Sequence, residues 1–302
     1  MMQIDYRTKQ IELDPQKYRN IETGEILQNE IETTNYEFKD SCETYLFLKK
    51  YSPYFKMTKT HNFVKYFPDE INKVIPSISL KNLGYFIRIC HNLNYCDNVC
   101  LNFKYEAHTN KSLAFELGIS PQRSNSITKD LEKSGLLKHY RLKGTKYNRK
   151  KVFIVNPKYL RKGKDINEDI INMFNNSKGR FNHKDFCILD QQSMFRISKE
   201  GLTFQAIGFT LVLSTYLSKE KNILNINSKN LFKTFRSLGI SKIQKRTFDN
   251  YLANIMESEV LFEFKKNKYK RNEYYLNPSL IRRGNKFPKF LMDKMIDYSE
   301  PK

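Results

Sequence analysis

Apolar residues recur first at helical and then at strand spacing through one stretch, Lys111 to Gly163. Leu113, Ala114 and Leu117 form one apolar helical face, and Gly118 ends that helix where a left-handed residue is wanted. Ser120 and Pro121 open a second helix, with an N-cap and a proline at the first helical position. Ile127 and Leu131 lie four residues apart on its buried face, and Ser134-Gly135 marks its end. Two strand-like runs follow, residues 136–142 and 151–155, joined by a turn rich in Lys, Arg and Gly. Helix, tight turn, helix and hairpin in that order predict a winged helix, a module that lays its second helix in a DNA groove.

The pattern returns further along. Gly118-Ile119-Ser120 falls on Gly239-Ile240-Ser241 at an offset of 121 residues, which puts Ile127 on Phe248 and Leu131 on Leu252. At the same offset Asn156-Pro157 falls on Asn277-Pro278, and Arg161-Lys162-Gly163 on Arg282-Arg283-Gly284. Ser134 and Leu137 match Ser258 and Leu261 at 124, which requires a three-residue insertion between these anchors. Upstream, Leu83-Gly84-Tyr85-Phe86 matches Ile207-Gly208-Phe209-Thr210, and Leu93 matches Leu217. Residues 80–93 read as the first helix of the unit, and Asn98 to Asn102 as the short strand that pairs with the wing; Asn222 to Asn227 takes that place in the second copy. So long a period denotes two domains and not a solenoid array. The expected fold class is therefore α+β, mainly α, with tandem duplicated winged helix-turn-helix domains and a small N-terminal arm. The expected boundaries are an arm over 1–60, a first winged-helix domain over 61–164, a linker with a short helix over 165–200 and a second winged-helix domain over 201–302.

Within the arm, apolar residues on either side of Thr23-Gly24 predict a hairpin over Arg19–Leu27, and Asp40 to Lys50 reads as helical; the alternative is a flexible tail. Phe63 to Phe67 has the character of a strand, and Pro68-Asp69-Glu70 that of a helix start. Between the copies Asp169 to Phe174 reads as a helix and Asn175 to Gly179 as a loop. A counterpart helix carries Phe290, Leu291, Met292, Met295 and Ile296; these apolar side chains pack on their own domain or join copies.

Charge sharpens the picture. The chain has 302 residues with 39% hydrophobic and 14% aromatic side chains, which argues for globular folding. Its net charge is +21. Residues 1–60 hold nine Lys or Arg against ten Asp or Glu, so the remainder carries +22, where the two copies lie. The sequence has no long apolar run, signal peptide or lipidation motif to favour a membrane, and nucleic acid is the better partner for such a charge than an acidic protein. Five cysteines, an odd number, fit a reducing cytoplasm.

The expected recognition helices run over 121–133 and 242–256. Gln122, Arg123, Ser126 and Lys129 in the first, and Gln244, Lys245, Arg246 and Asn250 in the second, would face base edges. Arg and Lys match guanine O6 and N7, whereas Gln and Asn match adenine N6 and N7. The wings carry Arg141, Lys143, Lys146, Arg149, Lys150 and Lys151, then Lys265, Lys266, Lys268, Lys270 and Arg271, which would grip phosphate and set register. The bland alternatives are a solvated helix face and a solubilising loop. Cys90, Cys96 and Cys100 cluster in sequence with His91 and His108, yet the spacing is wrong for a paired zinc site, and Cys90 aligns with Ser214. Packing thiols, no metal and no cofactor are expected. With no Walker loop, dinucleotide glycine pattern or metalloprotease motif, the expectation is that the chain is not an enzyme.

These residues resemble the winged-helix replication initiators of Gram-positive plasmids and phages, particularly the RepL-type proteins. The resemblance rests on Glu22-Thr23-Gly24-Glu25, on Phe63-Val64-Lys65, and on Asn156-Pro157 followed by Arg161-Lys162-Gly163, and covers roughly residues 16–165. That family has one such domain, so the second copy is a departure; in plan, though not in motif, tandem winged domains resemble iteron-binding plasmid initiators. The resemblance implies a protein that marks an origin by binding repeats in double-stranded DNA, recruits host replication proteins and performs no chemistry of its own. It would act as a monomeric pseudo-dimer or a homodimer. A transcriptional repressor at an operator would use the same geometry, and a protein-interaction scaffold is the alternative from a different class.

Overall fold

Two short strands, β1 (Tyr18–Arg19) and β2 (Ile26–Leu27), pair antiparallel where the sequence predicts the arm hairpin. They belong to the first of two units, residues 1–53, and the second unit spans 54–302. The computed structural model describes residues 18–19, 26–27, 63–95, 97–102, 104–141, 151–163, 166–174, 185–190, 201–219, 222–226, 230–240, 243–266, 271–278 and 280–284. The helix expected over 40–50 and the one expected around Phe290 to Ile296 lie outside these residues. Among the described residues the chain is mixed α+β, with eight α-helices and small sheets.

The second unit begins with β3 (Phe63–Tyr66) and α1 (Pro68–Val74), which opens on its proline with Asp69 and Glu70 in the first turn. The apolar helix α2 (Leu80–Ile89) follows, capped by Ser79, whose side chain accepts from the Asn82 amide. Val99 to Leu101 form bridges to Ile154, Leu93 and Ala107. Next come α3 (Asn110–Leu117) and α4 (Pro121–Lys133). Gly118 sits at φ 64 at the end of α3, and Ser120 caps α4 by accepting from the Arg123 amide. The hairpin β4 (Leu137–Tyr140) and β5 (Val152–Val155) pairs antiparallel, and β6 (Leu160–Arg161) returns to β3. Behind the hairpin, α5 (Glu168–Met173) buries Ile170 against Val99, Val152 and Ile154, so these apolar residues pack on their own half.

The second half repeats the order: β7 (Cys187–Asp190), α6 (Phe204–Ser214), bridges from Ile223 to Tyr275 and from Leu224 to Leu217, α7 (Leu231–Ser237), α8 (Lys245–Glu257), β8 (Leu261–Lys266), β9 (Arg271–Leu276) and β10 (Ile281–Arg283). The agreement reaches single buried side chains. Asn98, at φ 52, donates from Nδ2 to the Val155 and Leu160 carbonyls at 3.3 and 2.8 Å, and its Oδ1 accepts from the Lys162 amide at 3.0 Å. Asn222, at φ 55, does the same with Leu276, Ile281 and Arg283 at 2.9, 2.8 and 3.1 Å. Asn156 and Asn277 each donate to the carbonyl of the residue that ends the recognition helix turn, Gly135 at 2.9 Å and Glu259 at 3.0 Å.

The halves are not separate beads. The strand Cys187–Asp190, placed by its sequence in the connecting segment, joins β3 in one four-stranded sheet of order β10-β7-β3-β6. Beside it α2 packs on α6 through Gly84 and Gly208, and a single hydrophobic cluster runs from Val64 in the first half to Ile281 in the second. The Tyr66 hydroxyl donates across the seam to Ser214.

Two sequence alignments are corrected. The helix expected over 242–256 spans Lys245–Glu257, matching Pro121–Lys133 at an offset of 124. Phe248 therefore occupies the place of Ser124, not Ile127, and the buried partner of Leu131 is Ile255, not the half-buried Leu252. The three-residue insertion lies before the helix, in the turn after Gly239. The physical cause of the misplacement is that an apolar helical face recurs every three to four residues, so a slip of three still sets apolar on apolar.

Candidate nucleic-acid interface

Each half offers one polar helix with a hairpin beside it. In α4 the buried side is Ser124, Ile127, Thr128 and Leu131, which presses the helix onto the core. Gln122, Arg123, Asn125, Ser126 and Lys129 are exposed on the other side. Asn82 on α2 anchors the helix by donating to Asp130 at 3.0 Å. Arg123 is less free than its sequence position implies, because its guanidinium lies beside the Tyr85 hydroxyl and acts on it electrostatically. Burial pushes that phenol above its ordinary value, and the guanidinium pulls it back.

In α8 the buried side is Phe248 and Ile255. Phe248 stands edge-on to Phe209, Phe232 and Phe235 at 5.2, 5.3 and 5.4 Å between ring centroids. Arg246 and Asn250 are exposed, as expected for reading positions. Gln244 is the N-cap residue and makes no side-chain cap hydrogen bond. Lys245 bonds Asp249 one turn on and lies over the Phe232 and Phe248 rings at 5.6 and 5.5 Å, so its charge is partly committed within its own helix. Thr247, Asp249 and Ala253, equivalent to Arg123, Asn125 and Lys129, escape the sequence reading because the alignment there was three residues out.

The hairpins carry the expected charge only in part within the described residues. Arg141 leaves β4 and Lys151 enters β5, both exposed. Lys265 and Lys266 end β8, and Arg271 begins β9, with Lys265 opposite Asn272 and Lys266 opposite Arg271. Lys143, Lys146, Arg149, Lys150, Lys268 and Lys270 lie outside the described residues. The basic pair Arg161-Lys162 serves a different purpose from the wings. Arg161 lies in the sheet over the Phe67 ring at 5.1 Å, and Lys162 gives its amide to Asn98. Its counterpart Arg283 bonds Asp185, a pairing that holds the carboxyl below its usual range.

The cysteine and histidine cluster resolves into packing and one buried charge group. Cys90, Cys100 and Cys187 are buried free thiols, with burial pushing Cys187 up to about 12. Cys96 lies outside the described residues. His91 and His108 flank Glu116, with Nδ1 of one at 3.0 Å and Nε2 of the other at 3.4 Å from its carboxylate oxygens. Burial drives His108 down to about 4 against the pull of that carboxylate. Among the described residues no group of three His, Cys, Asp or Glu is placed to hold a metal ion, and no helix is long and apolar enough to cross a membrane.

Comparison with known proteins adds no relative: no protein-family model, no curated protein and no solved structure matches this chain.

Proposed function

We propose that each half of residues 54–302 is a winged helix and that the chain is a sequence-specific double-stranded DNA-binding protein, acting as a plasmid or phage replication initiator. In this reading α4 and α8 enter the major groove, and the hairpins 137–155 and 261–276 lie along phosphates. The observation that supports it is the twice-repeated helix–turn–helix–hairpin, with an exposed polar helix face each time and +22 charge outside the arm. Gln122, Ser126, Lys129, Arg246 and Asn250 supply the donors and acceptors that base edges require, and Arg141, Lys151, Lys265, Lys266 and Arg271 the phosphate contacts. The initiator role rests on the resemblance to RepL-type proteins.

The test is selection and sequencing of source-genome fragments retained by the purified chain at about 150 mM salt, where exposed charges more than roughly 8 Å apart are largely screened. Enrichment of repeats beside an AT-rich replication origin is the expected result. A single operator over a promoter would replace the initiator with a repressor. Absence of any enrichment would overturn sequence-specific binding.

A further inference from the structure

The two halves meet reciprocally. Superposing Phe63 on Phe186 carries Val64 to Cys187 and Tyr66 to Leu189; the seam pairs Val64↔Leu189 and Tyr66↔Cys187 then exchange, about the central pair Lys65↔Ile188. The outer pairs follow: Lys65↔Arg161 and Tyr66↔Leu160 recur as Ile188↔Arg282 and Leu189↔Ile281. The helices behave alike. A Cβ built on Gly84 would lie 1.8 Å from the Phe204 carbonyl oxygen, and one on Gly208 would lie 2.0 Å from that of Leu80. Leu80 and Phe204 are equivalent, as are the two glycines. A contact in which each surface meets the other's equivalent is the mark of a two-fold axis, whereas head-to-tail packing sets unlike surfaces together.

From this we infer that the chain reads an inverted repeat whose two half-sites differ in sequence and lie one turn of B-DNA apart. The inference rests on the DNA-binding reading above. An axis that carries α4 onto α8 presents the two helices to the duplex in opposite polarity, and DNA's own local dyad then demands inverted and not tandem half-sites. The half-sites differ because the residues at equivalent positions of α4 and α8 differ: Gln122 against Arg246, Arg123 against the half-buried Thr247, Ser126 against Asn250 and Lys129 against Ala253. A homodimer cannot make that distinction; a duplicated chain can, and so it lies on the duplex in one direction only.

Spacing follows from packing. The helices contact one another in the row α4, α2, α6, α8. With neighbouring axes 8–10 Å apart, three steps span at most about 30 Å. Helix surfaces lie roughly 5 Å outside their axes, so the reading surfaces lie at most about 40 Å apart, which takes in the roughly 34–36 Å between major grooves one turn apart. Two turns lie out of reach.

The experiment is selection from random duplex DNA by the full-length chain, followed by the same selection with the quadruple variant Arg246→Gln, Thr247→Arg, Asn250→Ser, Ala253→Lys. The wild type should enrich an inverted repeat with unlike halves centred about 10 base pairs apart. The variant should keep one half and convert the other into its copy, giving a perfect palindrome; the retained half shows that the variant is folded. Direct repeats, a single half-site or a two-turn spacing would overturn the inference while leaving DNA binding intact. A variant that loses the second half without converting it would also overturn it. No enriched sequence at all would instead remove the DNA-binding reading on which it stands.

Discussion

Adding one methyl group to the helix seam should destabilise the whole second unit. Alanine normally favours a helix over glycine by about 1 kcal/mol, so Gly84→Ala in a solvated helix would be stabilising. At this seam the sign reverses. The new Cβ would stand 1.8 Å from the Phe204 oxygen and 2.6 Å from its carbonyl carbon, whereas ordinary contact begins at 3.4 Å. Both neighbours are backbone, so no side chain can swing aside, and α2 must retreat from α6 by roughly 1.6 Å. Gaps of about 0.5–1 Å already forfeit a quarter to a half of a contact's dispersion energy, and Tyr85, Phe86, Phe209 and Leu213 line or flank this seam in the common core. Overpacking costs about 1–3 kcal/mol and occasionally more. Against the propensity gain, a net loss of about 2 kcal/mol is expected at the upper end of that range, read as a lower urea midpoint at unchanged slope. Gly208→Ala should match it, and the double variant should lose less than the sum, since one displacement relieves both clashes. Equal or greater stability of Gly84→Ala would refute the close reciprocal seam, and with it the two-fold that orders the reading helices.

Other tests reach separate parts of the molecule. Asn98→Ala removes the Nδ2 donor from the buried Leu160 carbonyl, and at about 1–3 kcal/mol for a buried group left unpaired should cost roughly 2 kcal/mol in urea unfolding; Asn222→Ala should do likewise in the second half. Burial holds His108 down to about 4 from the ordinary imidazole value of 6.5. The unfolded chain therefore takes up this proton first, so stability is constant above about pH 6.5 and falls as pH drops from there toward 4, by about 3 kcal/mol. His108→Gln should flatten that limb of the stability–pH curve, and an unchanged limb would refute the assignment. For DNA, affinity should fall about 10³-fold or more between 50 and 200 mM salt. Arg141→Glu with Lys151→Glu should lower the salt slope by about one per lost phosphate contact, measured by fluorescence anisotropy; an unchanged slope would place the wing off the duplex.

Local chemistry was readable wherever a residue has one conformational use. Ser120-Pro121 and Gly118 predict the turn between α3 and α4 because N-caps, first-turn prolines and left-handed glycines have few other roles. What stayed hidden depends on partners distant in the chain. Cys-Ile-Leu-Asp at 187–190 is four residues long, and a short apolar run without periodicity does not distinguish a buried strand from a connecting segment. Gly84 and Gly208 stood out as a repeated pair, but a glycine inside an apolar helix says nothing of what approaches it. Only the Phe204 and Leu80 carbonyls, brought in by the fold, give them meaning.

The halves have diverged more around α4 and α8 than where they meet. Along the seam the backbone register and the glycines recur, because a change on one side of a reciprocal contact must be accommodated by the other. Behind α4 and α8 no such coupling exists, and the support differs. In the first half Asn82 ties α4 through Asp130, and a small buried Ser124 lets the helix lie close to the core. In the second, Phe248 fills that position and leans on Phe209, Phe232 and Phe235. A polar tie fixes register through one directional bond, whereas an aromatic cluster holds position through volume and area. Linking the copies in one chain permits this: α4 and α8 are each free to change support and surface separately while the shared sheet joins the halves.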